Sequence, residues 1–358
     1  MAFLSLLKTL AATWALSTLL GCGGGAGGSA TNSTDPSLAD KPAPTVASKM
    51  QGMWVWNTTQ VLSTASTRQD VLTKAKAAGI TDIYLNADAG VFAAQSAQLQ
   101  ALNTLLRQNQ INVWGLDGCR CYFSDIDGPQ ALYNSIDALI AFNARVPAAA
   151  RFVGFMADQE PQDDLQKYPT RASFHNELAD SQLSSTSGGV WKASQRADRE
   201  ALMQDFVAFF DTAHTKLKAA GLRTAGAMVF WLDDYYGEPV QATYAGVRKP
   251  VSQHLMRYMD DYVLMTYNTD PANAANRARS ALQYASSLPA SSRPRVSASM
   301  ETHTLGYANT VSYADTPGKN SKTVVLQDRQ TISNLLASYA AFAGVSLHDF
   351  VGWSAMPQ

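Results

Sequence analysis

The chain has 358 residues, a formal net charge of −1, 46% hydrophobic and 16% charged residues. That apolar fraction supplies a packed core and excludes wholesale disorder, and near-zero charge without a basic run excludes an electrostatic groove for nucleic acid. Three cysteines make no disulfide framework; with no C-x-x-C, H-E-x-x-H, Walker-type or G-x-S-x-G spacing, no metal, no cofactor and no nucleophilic-serine elbow are expected.

Residues 1–21 read as an export signal. Lys8 precedes the apolar run Thr9–Leu20, which is shorter than the ~20 residues that span a bilayer. The sequence Leu19-Leu20-Gly21-Cys22 resembles the bacterial lipobox. That resemblance implies lipidation at Cys22, a membrane partner through the lipid, and a place in the cell envelope; Gly23 after the cysteine implies sorting to the outer membrane. Residues 22–49, rich in Gly and Ser and then Pro, read as a tether.

From Met50 onward, short apolar runs alternate with amphipathic segments. Strands are expected at Met53–Asn57, Asp82–Asn86, Asn112–Leu116, Phe152–Asp158, Thr224–Trp231, Tyr262–Tyr267, Arg295–Glu301 and Leu347–Trp353. Helices are expected at Gln69–Ala78, Ser96–Gln108, Pro129–Asn143, Asp198–Ala220, Pro271–Ser287 and Thr331–Ala343. Strand–helix alternation implies parallel strands with right-handed crossovers. Residues 50–358 are therefore expected to form an α/β fold, a (β/α)8 TIM barrel, with a doubly wound open sheet as the alternative. Two long connections, Pro161–Gln195 and His303–Gln330, leave the C-terminal strand ends, the face on which barrel sites form.

A strand's period of two assigns its inward positions. On strand four Phe152, Gly154, Met156, Asp158 and Glu160 share a face, apolar first and acidic last. Two carboxylates so placed repel, so one of them should hold its proton to higher pH, as a general acid must. Strand seven brings Ser297, Ser299 and Glu301 to one face, and strand six brings Val263, Met265 and Tyr267. Trp56, Asn57, Asn86, Asp117, Trp231, Asp233, His348, Asp349 and Trp353 stand at or just past the other strand ends. Such residues hydrogen-bond hydroxyls or stack on sugar rings; for the tryptophans, core packing is the competing assignment.

The stretch Val153-Gly154-Phe155-Met156-Ala157-Asp158-Gln159-Glu160 resembles the strand-four D-G-x-D-x-D-x-E of family 18 glycoside hydrolases, the chitinase-like barrels. It keeps the Gly and the terminal Asp-x-Glu, with Val153 and Met156 at the two upstream acid positions. Met265-Thr266-Tyr267-Asn268 is similar to that family's strand-six M-x-Y-D, and Trp353 to its strand-eight tryptophan. The resemblance implies Glu160 as general acid, Asp158 orienting a substrate N-acetyl group that acts as nucleophile, and Tyr267 assisting. Gln159-Glu160-Pro161 also resembles the Asn-Glu-Pro of the large retaining β-glycosidase clan. That likeness implies Glu160 as acid/base with Glu301 as nucleophile about 5–5.5 Å away. Glu301-Thr302 and His348-Asp349-Phe350 are similar to motifs of bacterial barrel proteins of unassigned function. The expected activity is hydrolysis of a polysaccharide or amino-sugar glycan. Alternatives are a non-catalytic glycan-binding envelope lipoprotein, and a metal-assisted hydrolase using Asp233 and Asp234.

Overall fold

Eight parallel strands close on themselves in chain order: β1 Gly52–Val55, β2 Asp82–Asn86, β3 Asn112–Asp117, β4 Gly154–Asp158, β5 Arg223–Val229, β6 Asp261–Met265, β7 Arg295–Glu301 and β8 Phe342–His348. The computed structural model describes residues 50–118, 128–160, 196–235 and 238–358. The signal, tether and Cys22, the pair Cys119 and Cys121, and the connection 161–195 lie outside the described residues. The ring closes where Met53 of β1 pairs with Leu347 of β8. No helix among the described residues is long and apolar enough to cross a membrane.

Complementary volumes fill the lumen. Strands β1 to β4 contribute Trp54, Tyr84, Trp114, Leu116 and Met156, whereas β5 and β6 contribute Ala225, Ala227 and Val263. On β7 and β8 the inward positions are Ser297, Ser299 and Ser346, all buried. Large rings on one side facing small side chains on the other bring the interior to close packing. Trp54 and Tyr84 meet edge to face at 5.0 Å between ring centroids. Gly154 is required here, because a β-carbon on it would stand 2.4 Å from the Arg223 carbonyl and 2.6 Å from the Trp114 ring. At the N-terminal mouth the fully buried Asp261 accepts from Arg223 (Nη2, 2.7 Å) and Arg295 (Nε, 2.6 Å).

Most connecting helices fall near their expected positions: α1 Ala65–Ala77, α2 Ser96–Gln108, α3 Gly128–Arg145, α4 Arg196–Ala219 and α5 Pro271–Ser287. The sixth, α6 Lys322–Leu336, replaces the expected Thr331–Ala343. Ser321 caps it by accepting from the Val324 N–H at 3.4 Å, and its apolar stripe is Val325, Ile332 and Leu336. The eighth strand ends at His348 instead of continuing to Trp353. Asp349 caps a further helix, α7 Phe350–Ala355, accepting from the Gly352 N–H at 2.8 Å. Between β5 and β6 the described chain forms two hairpins and the short helix Val251–Leu255 in place of a long crossover helix.

Candidate functional site

Strand ends β1, β4, β7 and β8, with Tyr267 just past β6, bring one set of polar side chains together. Asp158 is the last residue of β4. The Trp54 indole donates from Nε1 to Asp158 Oδ2 at 3.2 Å, while Asp158 Oδ1 is buried and has no hydrogen-bond partner among the described residues. Burial pushes the Asp158 carboxyl up to about 6, against the opposing effects of the His348 charge and the Trp54 hydrogen bond. The expectation that one of the strand-four acids holds its proton to higher pH applies to Asp158. Its physical cause is desolvation, where the sequence suggested repulsion by Glu160.

His348, the last residue of β8, links two further candidates. Its Nε2 lies 2.9 Å from Nε1 of Trp56, and its Nδ1 lies 2.8 Å from Oε2 of Glu301. The other oxygen of Glu301 accepts from the His303 backbone N–H at 2.6 Å. Glu301 is 5% exposed and stands directly across the β7–β8 ladder from His348. Burial by itself lowers the imidazole pKa; the hydrogen bond and charge of Glu301, with the charges of Asp158 and Asp349, outweigh it and leave His348 above its ordinary value.

Tyr267 packs against the His348 ring at 5.8 Å between centroids. Its hydroxyl is pushed well above the usual phenol range, first by burial and then by the charges of Glu301, Asp158 and Glu160. It therefore stays protonated and can donate. Glu160, half-buried, follows Asp158 by two residues at the mouth of the barrel. Asp158, Glu160, Tyr267, Glu301, His348 and Trp56 thus form one neighbourhood.

The other expected site residues fall elsewhere. Asp117 faces the helix layer and accepts from the Ser135 hydroxyl of α3 at 2.7 Å, since on β3 it is Trp114 and Leu116 that point into the lumen. Asp233 lies outside the barrel, where it accepts from the hydroxyls of Ser252 and Ser280. Trp231 turns away from β5 and packs on the outer core. Trp353 sits on α7, 2% exposed in that outer core, with the Lys322 ammonium 5.8 Å from its ring. It is a packing residue, because Asp349 starts a helix where the sequence suggested a continuing strand. Asp349 itself caps that helix and lies 3.2 Å from His303 Nδ1. Asn57 donates to Gln60 at 3.1 Å and Asn86 to the Leu116 carbonyl at 3.3 Å, both at the strand ends.

Two positions depart from the family 18 pattern. Met156 is fully buried among the lumen aromatics, so an acid there would be desolvated. Asn268 accepts from the Asp270 N–H at 2.8 Å and serves the turn into α5. Sequence reasoning missed Trp54 as a partner of Asp158, although Trp54 and Trp56 share a face; it also missed His303, which directly follows the Glu301-Thr302 pair. Among the described residues no group of three or more His, Cys, Asp or Glu side chains could hold a metal ion.

No protein-family model matches the sequence, and no curated protein matches it. The solved structures it resembles share the barrel fold and include both glycoside hydrolases and a sugar phosphate isomerase/epimerase from Parabacteroides distasonis (9% identity, 86% of this chain and 90% of that one, TM-score 0.39). The hydrolases include a chitinase from Chromobacterium violaceum (14% identity, 86% of this chain and 98% of that one, TM-score 0.44). The spore cortex-lytic enzyme SleL of Bacillus megaterium matches at 12% identity over 86% of this chain and 71% of that one, TM-score 0.47. The PgaB (BpsB) glycoside hydrolase domain of Bordetella bronchiseptica matches at 9% identity over 86% and 95%, TM-score 0.45. The chain spans 55% of a chitinase-type C-terminal domain from Desulfitobacterium hafniense that it also resembles.

Proposed function

We propose that this barrel is a glycoside hydrolase acting on an amino-sugar glycan, held at the cell envelope by a lipid on Cys22. The observation that carries this reading is the buried Oδ1 of Asp158, unpartnered among the described residues, beside Tyr267. A buried carboxylate oxygen without a donor is costly, and a ligand N–H placed there removes that cost. An N-acetyl amide supplies such an N–H.

In this mechanism Glu160 protonates the leaving glycosidic oxygen. Ionised Asp158 accepts from the acetamido N–H and stabilises the positive charge that develops as the acetamido oxygen attacks the anomeric carbon. The Tyr267 hydroxyl donates to that acetamido group and orients it. Water then opens the cyclic intermediate, with Glu160 now acting as base; this substrate-assisted route retains anomeric configuration. Trp56 offers an apolar ring face near the same point.

The test is release of reducing ends from N-acetylated amino-sugar polymers and from their de-N-acetylated counterparts. Cleavage restricted to the acetylated polymers, and lost in Glu160→Gln, is expected. Saturable binding without turnover of any polymer would instead support the glycan-binding lipoprotein.

A further inference from the structure

We infer that Glu301 is a positioning residue that acts through His348, fixing the imidazole tautomer and with it the indole of Trp56. The inference rests on the proposed function for its catalytic meaning, and on hydrogen-bond chemistry for its structural content.

An indole N–H only donates, so His348 Nε2, 2.9 Å from Trp56 Nε1, must carry its lone pair. The neutral ring then bears its proton on Nδ1 and donates it to Glu301 Oε2 at 2.8 Å. The resulting chain runs from Trp56 to His348 to Glu301, and it is pinned at its far end. Oε1 of Glu301 accepts from the His303 N–H, and the Glu301 carbonyl accepts from the Tyr313 N–H at 2.9 Å. The Thr302 hydroxyl donates to the His348 carbonyl at 3.0 Å.

A nucleophilic Glu301 would have to turn an oxygen toward the sugar and give up one of these bonds from a site that is 5% exposed. As a clamp it gives up none. The groups facing His348 are Glu301 from β7, Asp158 from β4, Trp54 and Trp56 from β1, Tyr267 past β6, and Asp349 next in the chain. Protonating His348 would put a hydrogen on Nε2 against the Trp56 N–H, so the charged ring and the Trp56 bond exclude one another. The carboxylate favours the proton on Nδ1 and the indole opposes one on Nε2, so between the two neutral tautomers the pair selects Nδ1–H.

The experiment is nitrogen NMR of the full chain with labelled histidine, titrated across neutral pH, in wild type, Glu301→Gln and Trp56→Phe. Wild type is expected to show His348 as the Nδ1–H tautomer. In Glu301→Gln the His348 titration midpoint falls, because the carboxylate that raised it is gone. In Trp56→Phe the midpoint rises, because Nε2 is free to take a proton. In parallel, Glu301→Gln should lower kcat/KM by about 10- to 100-fold, the cost of a misplaced binding surface, and Glu301→Ala, which leaves room for the anion, should show no rescue by azide. An Nε2–H tautomer in wild type, or a His348 midpoint unmoved in both variants, would overturn the inference. So would a loss of about 10,000-fold or more in Glu301→Gln, or azide rescue of Glu301→Ala, which mark a nucleophile. The NMR arm reads the relay even where no polymer is cleaved, so failure of the proposed function and failure of this inference are separable.

Discussion

Trp54 donates its indole N–H to one oxygen of Asp158, and the other oxygen is buried without a partner among the described residues. The contact satisfies half of a carboxylate at the centre of the candidate site. The energetic consequences of the unsatisfied half are measurable.

Asp158→Asn should stabilise the protein at neutral pH. The folded-state pKa is raised from 3.8 to about 6, so between those values the folded chain binds a proton that the unfolded chain has lost. Stability therefore falls as pH rises through that window, and the cost persists above it. At about 1.4 kcal/mol per unit, the asparagine variant should gain about 2–3 kcal/mol above pH ~6 and nothing below pH ~4. Urea unfolding at both ends of the range checks this, and the same variant should lose turnover.

The acid limb of kcat/KM should follow Asp158 ionisation, with an apparent midpoint near 6. Trp54→Phe removes a hydrogen bond that favours the ionised form, so the limb should move to higher pH. A pH–rate profile of wild type and variant reads the displacement; a downward displacement would contradict the assignment.

Asp261 is the opposite case in the same barrel: buried, but bonded to both Arg223 and Arg295. Asp261→Ala leaves two guanidinium groups without their shared carboxylate and should destabilise by about 3–5 kcal/mol. Denaturant unfolding should thus give opposite signs for the two carboxylate replacements.

Cys22→Ala should abolish partition into the membrane fraction while leaving the barrel folded. Fractionation of cells expressing the full chain checks it; a variant that still sediments with membranes would exclude a Cys22 lipid as the anchor.

The barrel was legible because the strand cores are short apolar runs separated by helical periodicity, and Ser96–Gln108 and Pro271–Ser287 match to the residue. The eighth strand was misplaced because Gly344 lies inside it. There a β-carbon would stand 2.2 Å from the Met50 carbonyl, so the glycine permits a close approach where the sequence suggested a helix end. Inward residues up to the strand ends followed from parity, which is why Asp158, Glu301 and His348 converge. Parity stops at the last strand residue. Trp353 and Trp231 therefore fall on the outer core, and Asp233 follows its two serine partners out of the barrel. Hydrogen bonds between distant strands, such as Trp54 to Asp158, have no local sequence signal.

The most direct measurement sets Glu160→Gln beside Glu301→Gln on one N-acetylated amino-sugar polymer, with reducing-end release as the readout. A general acid at Glu160 and a positioning carboxylate at Glu301 predict a loss of about 1,000-fold or more for the first and about 10- to 100-fold for the second. Glu160→Gln retaining wild-type turnover, or Glu301→Gln losing as much as Glu160→Gln, would contradict that division of roles.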